Sequence, residues 1–545
     1  MRLRCVLLAL LGLLFTAVGV PAGAEQGATD LAREIAALSE AGYSAQERAQ
    51  ITRLYREGGL LWFEPSGAPT AQAREAVQML SDAQRHGLVP AHYGAWQAGS
   101  LQDADAGPGL ASADARARVE VRLSAGVLRF WRDLHIGRID PRRVGFRMSL
   151  PQHDDDFVLL LRHAVTARRV AQTTTDLSPP LVLYRLLTDA LARYRALAAS
   201  TPAFTMAPPA RSITVGMPLA QAEALEGHLL ALGDLERPTG RAASGRYEPA
   251  LAEAVARFQR RHGLADDGVL GRGTVAALAV PLRERVTQIE LSLERLRWLP
   301  ELRPEGLVAV NIPMFRLWAW TKVSPTAVPD FSTNVIVGKA LNTQTPALLA
   351  DMQRVIFAPY WNVPRSILTK ELLPAITRDP GYLARQDMEI VRGPSDASPV
   401  VPYSEDALNG LRSGALRVRQ RPGPKNSLGR VKFEFPNDDS IYMHDTPAAQ
   451  LFGRARRDFS HGCIRLEQPE AMAGYILRDQ QGWTPERVAT AMREGSNVRV
   501  ELARPRQVVL YYLTAVVMPD TGLVHFADDV YRHDARLLRA LAALR

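Results

Sequence analysis

Two short segments in the last fifth of the chain carry the residues best suited to nucleophilic chemistry. One reads Ser460-His461-Gly462-Cys463-Ile464-Arg465-Leu466, and the other reads Ser440-Ile441-Tyr442-Met443-His444-Asp445. A free thiol, with a pKa of about 8.5, is only a few per cent ionised at neutral pH, so chemistry at Cys463 needs a proton acceptor nearby. It also needs donors for the oxyanion of an acyl-transfer intermediate, worth about 3–4 kcal/mol each. Gly462, lacking a Cβ, lets the backbone N–H groups around Cys463 come close to a substrate. His444, on a separate segment, is the candidate base, and the sequence does not identify the third group that would orient its ring. His461 reads as the base itself, as a neighbour tuning the thiolate, or as a loop hydrogen-bonder, the last two being favoured. Arg465 suits a substrate carboxylate through its planar fork, or equally a tie within the loop. Tyr442 and Trp361 read as cleft-lining or as core aromatics. Zinc ligation by His444, His461 and Cys463 competes, although a glycine between two ligands fits a nucleophile loop better.

The cysteine count sharpens the reading. Cys5 and Cys463 are the two cysteines of the chain. Cys5 falls in an N-terminal stretch with the marks of a secretion signal: Arg2 and Arg4, an apolar run from Cys5 to Val20, and Ala22-Gly23-Ala24 before Glu25. That run is shorter than the roughly 20 residues a spanning helix needs, so it reads as a cleaved signal peptide rather than a retained anchor. The protein is then exported to the periplasm or cell envelope, where Cys463 has no intramolecular partner. A single exported thiol is inert, paired between chains, or reactive.

Composition sets outer bounds. The 545 residues exceed one core, and 47% hydrophobic with 23% charged residues suits folded domains. The net charge is +9, or +7 without Arg2 and Arg4. The basic residues are spread among 57 acidic ones, with no block or basic–aromatic stripe, which argues against nucleic acid as partner. A diffuse positive surface suits anionic wall polymers, or is simply a solvated face.

The elements that must position these residues follow from periodicity. Three- and four-residue apolar spacing, as in Ala71–His86 and Arg116–Leu134, makes 25–205 a helical scaffold with turn-rich breaks at Glu64–Pro69 and Gln97–Gly109. Its histidines, His86, His92, His135, His153 and His163, lack metal-ligand spacing. A small unit at 213–281 reads as helix Pro218–Leu232, helix Glu248–His262, a Gly-rich loop at 263–271 and a short helix near Gly273. From Leu307 short runs rich in β-branched and aromatic residues announce a mainly β domain over 300–502. Within it Ile367–Ile376 reads as helical and Arg378–Gln420 as loop-rich, so about 360–425 is an inserted, lid-like segment. The last part, 503–545, is a C-terminal extension that packs back on that domain. The fold class is α+β and multidomain.

Two resemblances join these parts. FQRRHGLADDGVLGRGTVAAL (258–278) resembles a peptidoglycan-binding module. SHGCIRL (460–466), with the upstream YMHDTP (442–447), resembles the L,D-transpeptidase family with its YkuD-like catalytic fold. RPGPKNSLGRVKFEFPN (421–437) and LHIGRIDP (134–141) resemble its large multidomain members. The resemblance implies Cys463 as nucleophile, His444 as general base, and an oxyanion hole from the N–H groups of Gly462 and Cys463. His461 would tune the site; Arg465, Tyr442 and Trp361 would face substrate. It implies a tetrapeptide-stem donor losing D-alanine to form a thioester, an amine acceptor giving a 3→3 cross-link, acylation by carbapenems, and no cofactor or metal. Asp445 departs from the small residue often found after the histidine in shorter members. This leaves open whether its carbonyl or its carboxylate orients the ring.

Two other readings remain. Water could resolve the same thioester, making an L,D-carboxypeptidase; the two outcomes differ in how well the site excludes water. Alternatively the chain is a non-catalytic peptidoglycan-binding scaffold, which predicts wall binding without any covalent adduct. Oligomeric state is not legible, and the membrane would be met only through the signal or anchor.

Overall fold

A computed structural model describes residues 22–56, 59–94, 96, 101, 110, 112–146, 155–240, 244–299, 301–324, 327–341 and 343–544, with side chains from 29 onward. The expected leader lies outside the described residues, apart from Ala22–Ala24 at the start of the helix Ala22–Ala37. Most of the Gln97–Gly109 break and His153 also lie outside them. Among the described residues no helix is long and apolar enough to cross a membrane. The chain is α+β and multidomain, and divides into two compact units: Met1–Gln84 with Leu88–His135 and Asp154–Ser178, and Arg85–Gly87 with Ile136–His153 and Pro179–Arg545.

The first unit is helical and organised around the long helix Ala113–His135. Its Glu120 is fully buried yet accepts the N–H groups of Leu61 at 2.5 Å and Trp62 at 3.0 Å and the Tyr55 hydroxyl at 2.8 Å. Burial pushes its pKa up to about 7. A carboxylate with this many donors organises a core rather than a reaction.

In the second unit the helix Val182–Ser200 packs on Leu282–Leu296, with Arg195 bonded to Glu290 at 2.6 Å. This helix was expected within the scaffold at 25–205. Three helices, Ala222–Leu232, Pro249–Arg261 and Arg272–Leu278, form the small module. The first starts four residues later than its periodicity suggests. Gln259, 1% exposed, staples the Gly-rich loop by donating to Val269 O and Thr274 Oγ1 at 3.0 Å and accepting Gly268 N–H at 2.8 Å.

The catalytic-type domain opens with β1 (Glu305–Asn311), β2 (Arg316–Lys322), β3 (Phe331–Gly338) and β4 (Leu348–Phe357). The insertion follows, with β5 (Trp361–Asn362), β6 (Met388–Val391), β7 (Val400–Val401) and β8 (Arg417–Gln420). Next come β9 (Val431–Glu434), β10 (Met443–His444), β11 (Asp458–Ser460) and β12 (Ile464–Leu466). β13 (Val498–Tyr511), β14 (Ala515–Val517) and β15 (Val524–Phe526) complete the strands. Nine form one sheet in the order β11-β3-β12-β10-β9-β4-β13-β1-β2, and β3 also pairs with β2, so the ladder returns on itself. Its apolar interior includes Val310, Val335, Val355, Phe433, Met443 and Ile464.

Two expectations from sequence change here. The break expected at 502 falls inside β13, a central strand between β4 and β1. The register against β4 shifts between Glu501 and Arg506, around Pro505, which has no N–H to give a ladder; that interruption imitates a domain end. Arg378–Gln420 is a folded subdomain instead of a loop-rich stretch. β5, β8, β6 and β7 make a second sheet, and Ile376, Ile390, Leu408, Leu411 and Val418 make its own core. Its strands are too short and too charged to show a period. Arg419, for example, is buried on Glu389 at 2.5 Å. The region expected to be helical is so, over Arg365–Ile367, a π turn Leu368–Leu372 and Leu373–Arg378. Asn426 ties the base of the insertion, donating to Pro359 O at 3.0 Å and Arg421 O at 2.9 Å.

A core separate from that of the barrel makes the insertion an independent cooperative unit. Leu411→Ala, costing about 2–5 kcal/mol for a fully buried leucine, should speed amide hydrogen exchange within 363–418 and leave β1, β4 and β13 protected. Equal loosening of those barrel strands would contradict this.

Candidate active site

The site is built on a two-residue pairing. β10 and β12 run parallel, with Met443 opposite Ile464 and His444 opposite Arg465. Met443 and Ile464 are fully buried in the barrel core. Because side chains alternate along a strand, their flanking residues Tyr442, His444, Cys463 and Arg465 share the opposite face. On β9 the cross-strand partner of His444 is Lys432, again between two core residues, Val431 and Phe433.

On this face burial pushes the Tyr442 phenol well above its ordinary range, and the neighbouring Cys463 reinforces the shift. The Tyr442 and His444 rings lie 5.7 Å apart, and the Lys432 ammonium sits 4.4 Å over the Tyr442 ring. Cys463 Sγ donates weakly to Ser440 O at 3.9 Å. Ser440 has φ +55°, an uncommon conformation that turns its carbonyl this way. Asn437 holds that turn, donating to Phe435 O at 2.6 Å and Ile441 O at 2.7 Å and accepting Ile441 N–H at 3.0 Å.

Burial pushes the Cys463 thiol above its ordinary value, more than the Tyr442 hydrogen bonds and the Lys432 and Arg465 charges pull it down. Burial likewise lowers the pKa of His444 to about 3, reinforced by Arg465 and Lys432; the carbonyls of Asp445 and Leu428 pull the other way. Both shifts favour a neutral thiol and a neutral imidazole over a thiolate–imidazolium pair.

The ring's orienting partner is the Asp445 main-chain carbonyl, 2.5 Å from His444 Nδ1. Donation to it puts the proton on Nδ1 and leaves Nε2 as the basic nitrogen. The Asp445 carboxylate works elsewhere, accepting Arg430 N–H at 2.9 Å, Arg430 Nε at 3.2 Å and Thr446 N–H at 2.7 Å.

The loop before β12 differs from expectation in one respect. Gly462 N–H already donates to Ser460 Oγ at 3.2 Å, so it is not a free oxyanion donor. The same hydroxyl donates to Cys463 O at 2.6 Å, which ties the loop to itself. What the position needs from glycine is its φ of +119°.

His461 is exposed, with its Nε2 2.7 Å from Glu371 in the π turn of the insertion. Arg465 is half-buried, and its Nε has no hydrogen-bond partner. Sequence reading left Lys432, Ser460, Glu371 and Thr345 without roles. The alternation of Val431-Lys432-Phe433-Glu434 could have found Lys432; no local signal marks Glu371 or Thr345.

Comparisons agree with this architecture. Family models match a "Scaffold domain" over 49–191, a "Putative peptidoglycan binding domain" over 220–278 and an "L,D-transpeptidase catalytic domain" over 305–500. A curated relative from Haemophilus influenzae, described as "Putative L,D-transpeptidase", is 29% identical over 279 residues, covering 50% of this chain and 54% of that protein. The match thus spans about half of the relative's length. A solved L,D-transpeptidase from Stackebrandtia nassauensis is 14% identical and aligns over 56% of this chain and 97% of that one. Its TM-score of 0.22 is too low to support an argument. With a helical region and a peptidoglycan-binding domain ahead of its β domain, the chain carries the catalytic domain of the YkuD-type L,D-transpeptidase family over residues 305–500.

Proposed function

We propose that the protein is an exported peptidoglycan L,D-transpeptidase that forms 3→3 cross-links through a thioester on Cys463. The observation that carries this reading is the shared face of β10 and β12, where Tyr442, His444, Cys463 and Arg465 meet. Donor stem tetrapeptide enters with the carbonyl before its terminal D-alanine against Sγ. His444 Nε2 takes the thiol proton as sulfur attacks, so no thiolate accumulates beforehand. The oxyanion falls to the backbone N–H of Cys463. As the C–N bond breaks, His444 returns the proton to the departing D-alanine amine. The acceptor amine then attacks the thioester, loses a proton to the imidazole and regenerates the thiol.

Cross-linking rather than hydrolysis is favoured by a contact from the insertion to the Cys463 loop, Glu371 to His461 at 2.7 Å. A subdomain tied to the Cys463 loop in this way limits water and orients an amine. Arg465 Nε, buried without a partner, suits a stem-peptide carboxylate.

Three outcomes are expected. Intact-mass measurement with a carbapenem and with stem tetrapeptide should give one adduct and D-alanine-releasing dimer formation, both lost in Cys463→Ala. A folded protein with a titratable thiol and no adduct would favour the scaffold reading. Iodoacetamide alkylation of Cys463 should climb continuously between about pH 6 and about pH 9, because a raised thiol pKa leaves the thiolate a minority there. A plateau from about pH 5 would instead mean a thiolate–imidazolium pair. Glu371→Gln should raise the share of tripeptide over cross-linked product by about 2- to 5-fold, as expected for losing a contact of about 0.5–1 kcal/mol. An unchanged product ratio would separate the insertion from water exclusion.

A further inference from the structure

The peptide unit between Gly462 and Cys463 is held from outside its own loop. Thr345 Oγ1, in the connection from β3 to β4, donates to Gly462 O at 2.6 Å and accepts Gly338 N–H at 2.9 Å, which uses its hydroxyl in both directions. Thr345 N–H donates to the Tyr531 phenolic oxygen at 3.2 Å, and that phenol donates to Gly338 O at 2.5 Å. Thr345 and Tyr531 are each 2% exposed. Tyr531 is fixed in turn: its N–H donates to the Tyr512 hydroxyl at 3.0 Å and its ring stacks on Tyr512 at 5.8 Å. The connection is drawn in so tightly that a Cβ on Gly338 would lie 1.9 Å from Thr343 O.

A trans peptide is planar, with its C=O and N–H pointing in opposite directions. Holding Gly462 O therefore aims the N–H of Cys463. Gly462, at φ +119° and without a Cβ, offers little resistance of its own to rotation of that plane. The peptide on either side is held locally, by Ser460 Oγ and by the bond from Ile464 N–H to Tyr442 O at 3.0 Å.

We infer that Thr345, braced by Tyr531 from the C-terminal segment, is a positioning residue that aims the Cys463 amide at the oxyanion. The inference rests on the acyl-enzyme reading above. It assigns the C-terminal segment a part in the chemistry, through the catalytic loop.

The test compares two reactions of the same sulfur in the full protein. Acylation by a carbapenem builds an oxyanion, whereas alkylation by iodoacetamide does not. A mis-aimed donor costs up to the roughly 10²-fold typical of losing one. Thr345→Val should slow carbapenem acylation by about 30- to 100-fold and change alkylation by less than about 2-fold. Thr345→Ser, which keeps the hydroxyl, should restore acylation to within about 3-fold of the parent. If Thr345→Val does not fold, Tyr531→Phe carries the test, with a selective acylation loss of about 3- to 10-fold. Acylation at the parent rate in the folded variants would overturn the inference, as would equal loss of both reactions or failure of the serine rescue. A parent that is alkylated but never acylated contradicts the acyl-enzyme reading itself, and the inference with it.

Discussion

The site depends on one short interaction, the parallel pairing of Met443-His444 with Ile464-Arg465. Two residues of ladder are weak support alone, and the anchors are the fully buried Met443 and Ile464 on the core side. Slipping the register by one residue would drive Tyr442 and His444 into the barrel and Met443 out of it, which a buried apolar interior forbids. The hydrophobic core therefore specifies where the sulfur, phenol, imidazole and guanidinium meet. The neighbouring strands serve that pairing: β9 holds β10 on one side, and β3 holds β12 on the other.

Around this frame the electrostatics favour neutrality. Lys432 and Arg465 place positive charge beside a buried imidazole, so the ring resists protonation, while burial also keeps the proton on the thiol. In the proposed reaction the proton moves only when substrate arrives and charge develops on the carbonyl oxygen. A neutral resting thiol suits an exported protein, because the thiolate is the form that oxidants attack. The Asp445 carbonyl contributes by directing one tautomer, which leaves Nε2 able to accept.

Much of this was legible in the sequence because it is local. SHGC and YMHD mark the Cys463 loop and the His444 strand, the change of period at Leu307 marks the β domain, and a Gly-rich loop marks the three-helix module. What escaped is of two kinds. Some signals were present but masked: charged short strands hid the insertion's sheet, and Pro505 disguised the middle of β13 as an end. Others are absent from local sequence altogether. Thr345 lies 117 residues from its partner Gly462, and Tyr531 reaches Gly338 across 193. Gly462 shows the limit from the other side, since its φ of +119° is what requires a glycine there, while the N–H expected at the oxyanion already donates to Ser460.

The central claim is that a neutral imidazole of fixed tautomer serves a neutral thiol, and nitrogen-15 NMR of the His444 ring tests it most directly. The account predicts a ring protonated at Nδ1 and bare at Nε2 from about pH 8 down to about pH 5, given a pKa lowered to about 3. An imidazolium signal at neutral pH, or a proton resident on Nε2, would contradict it.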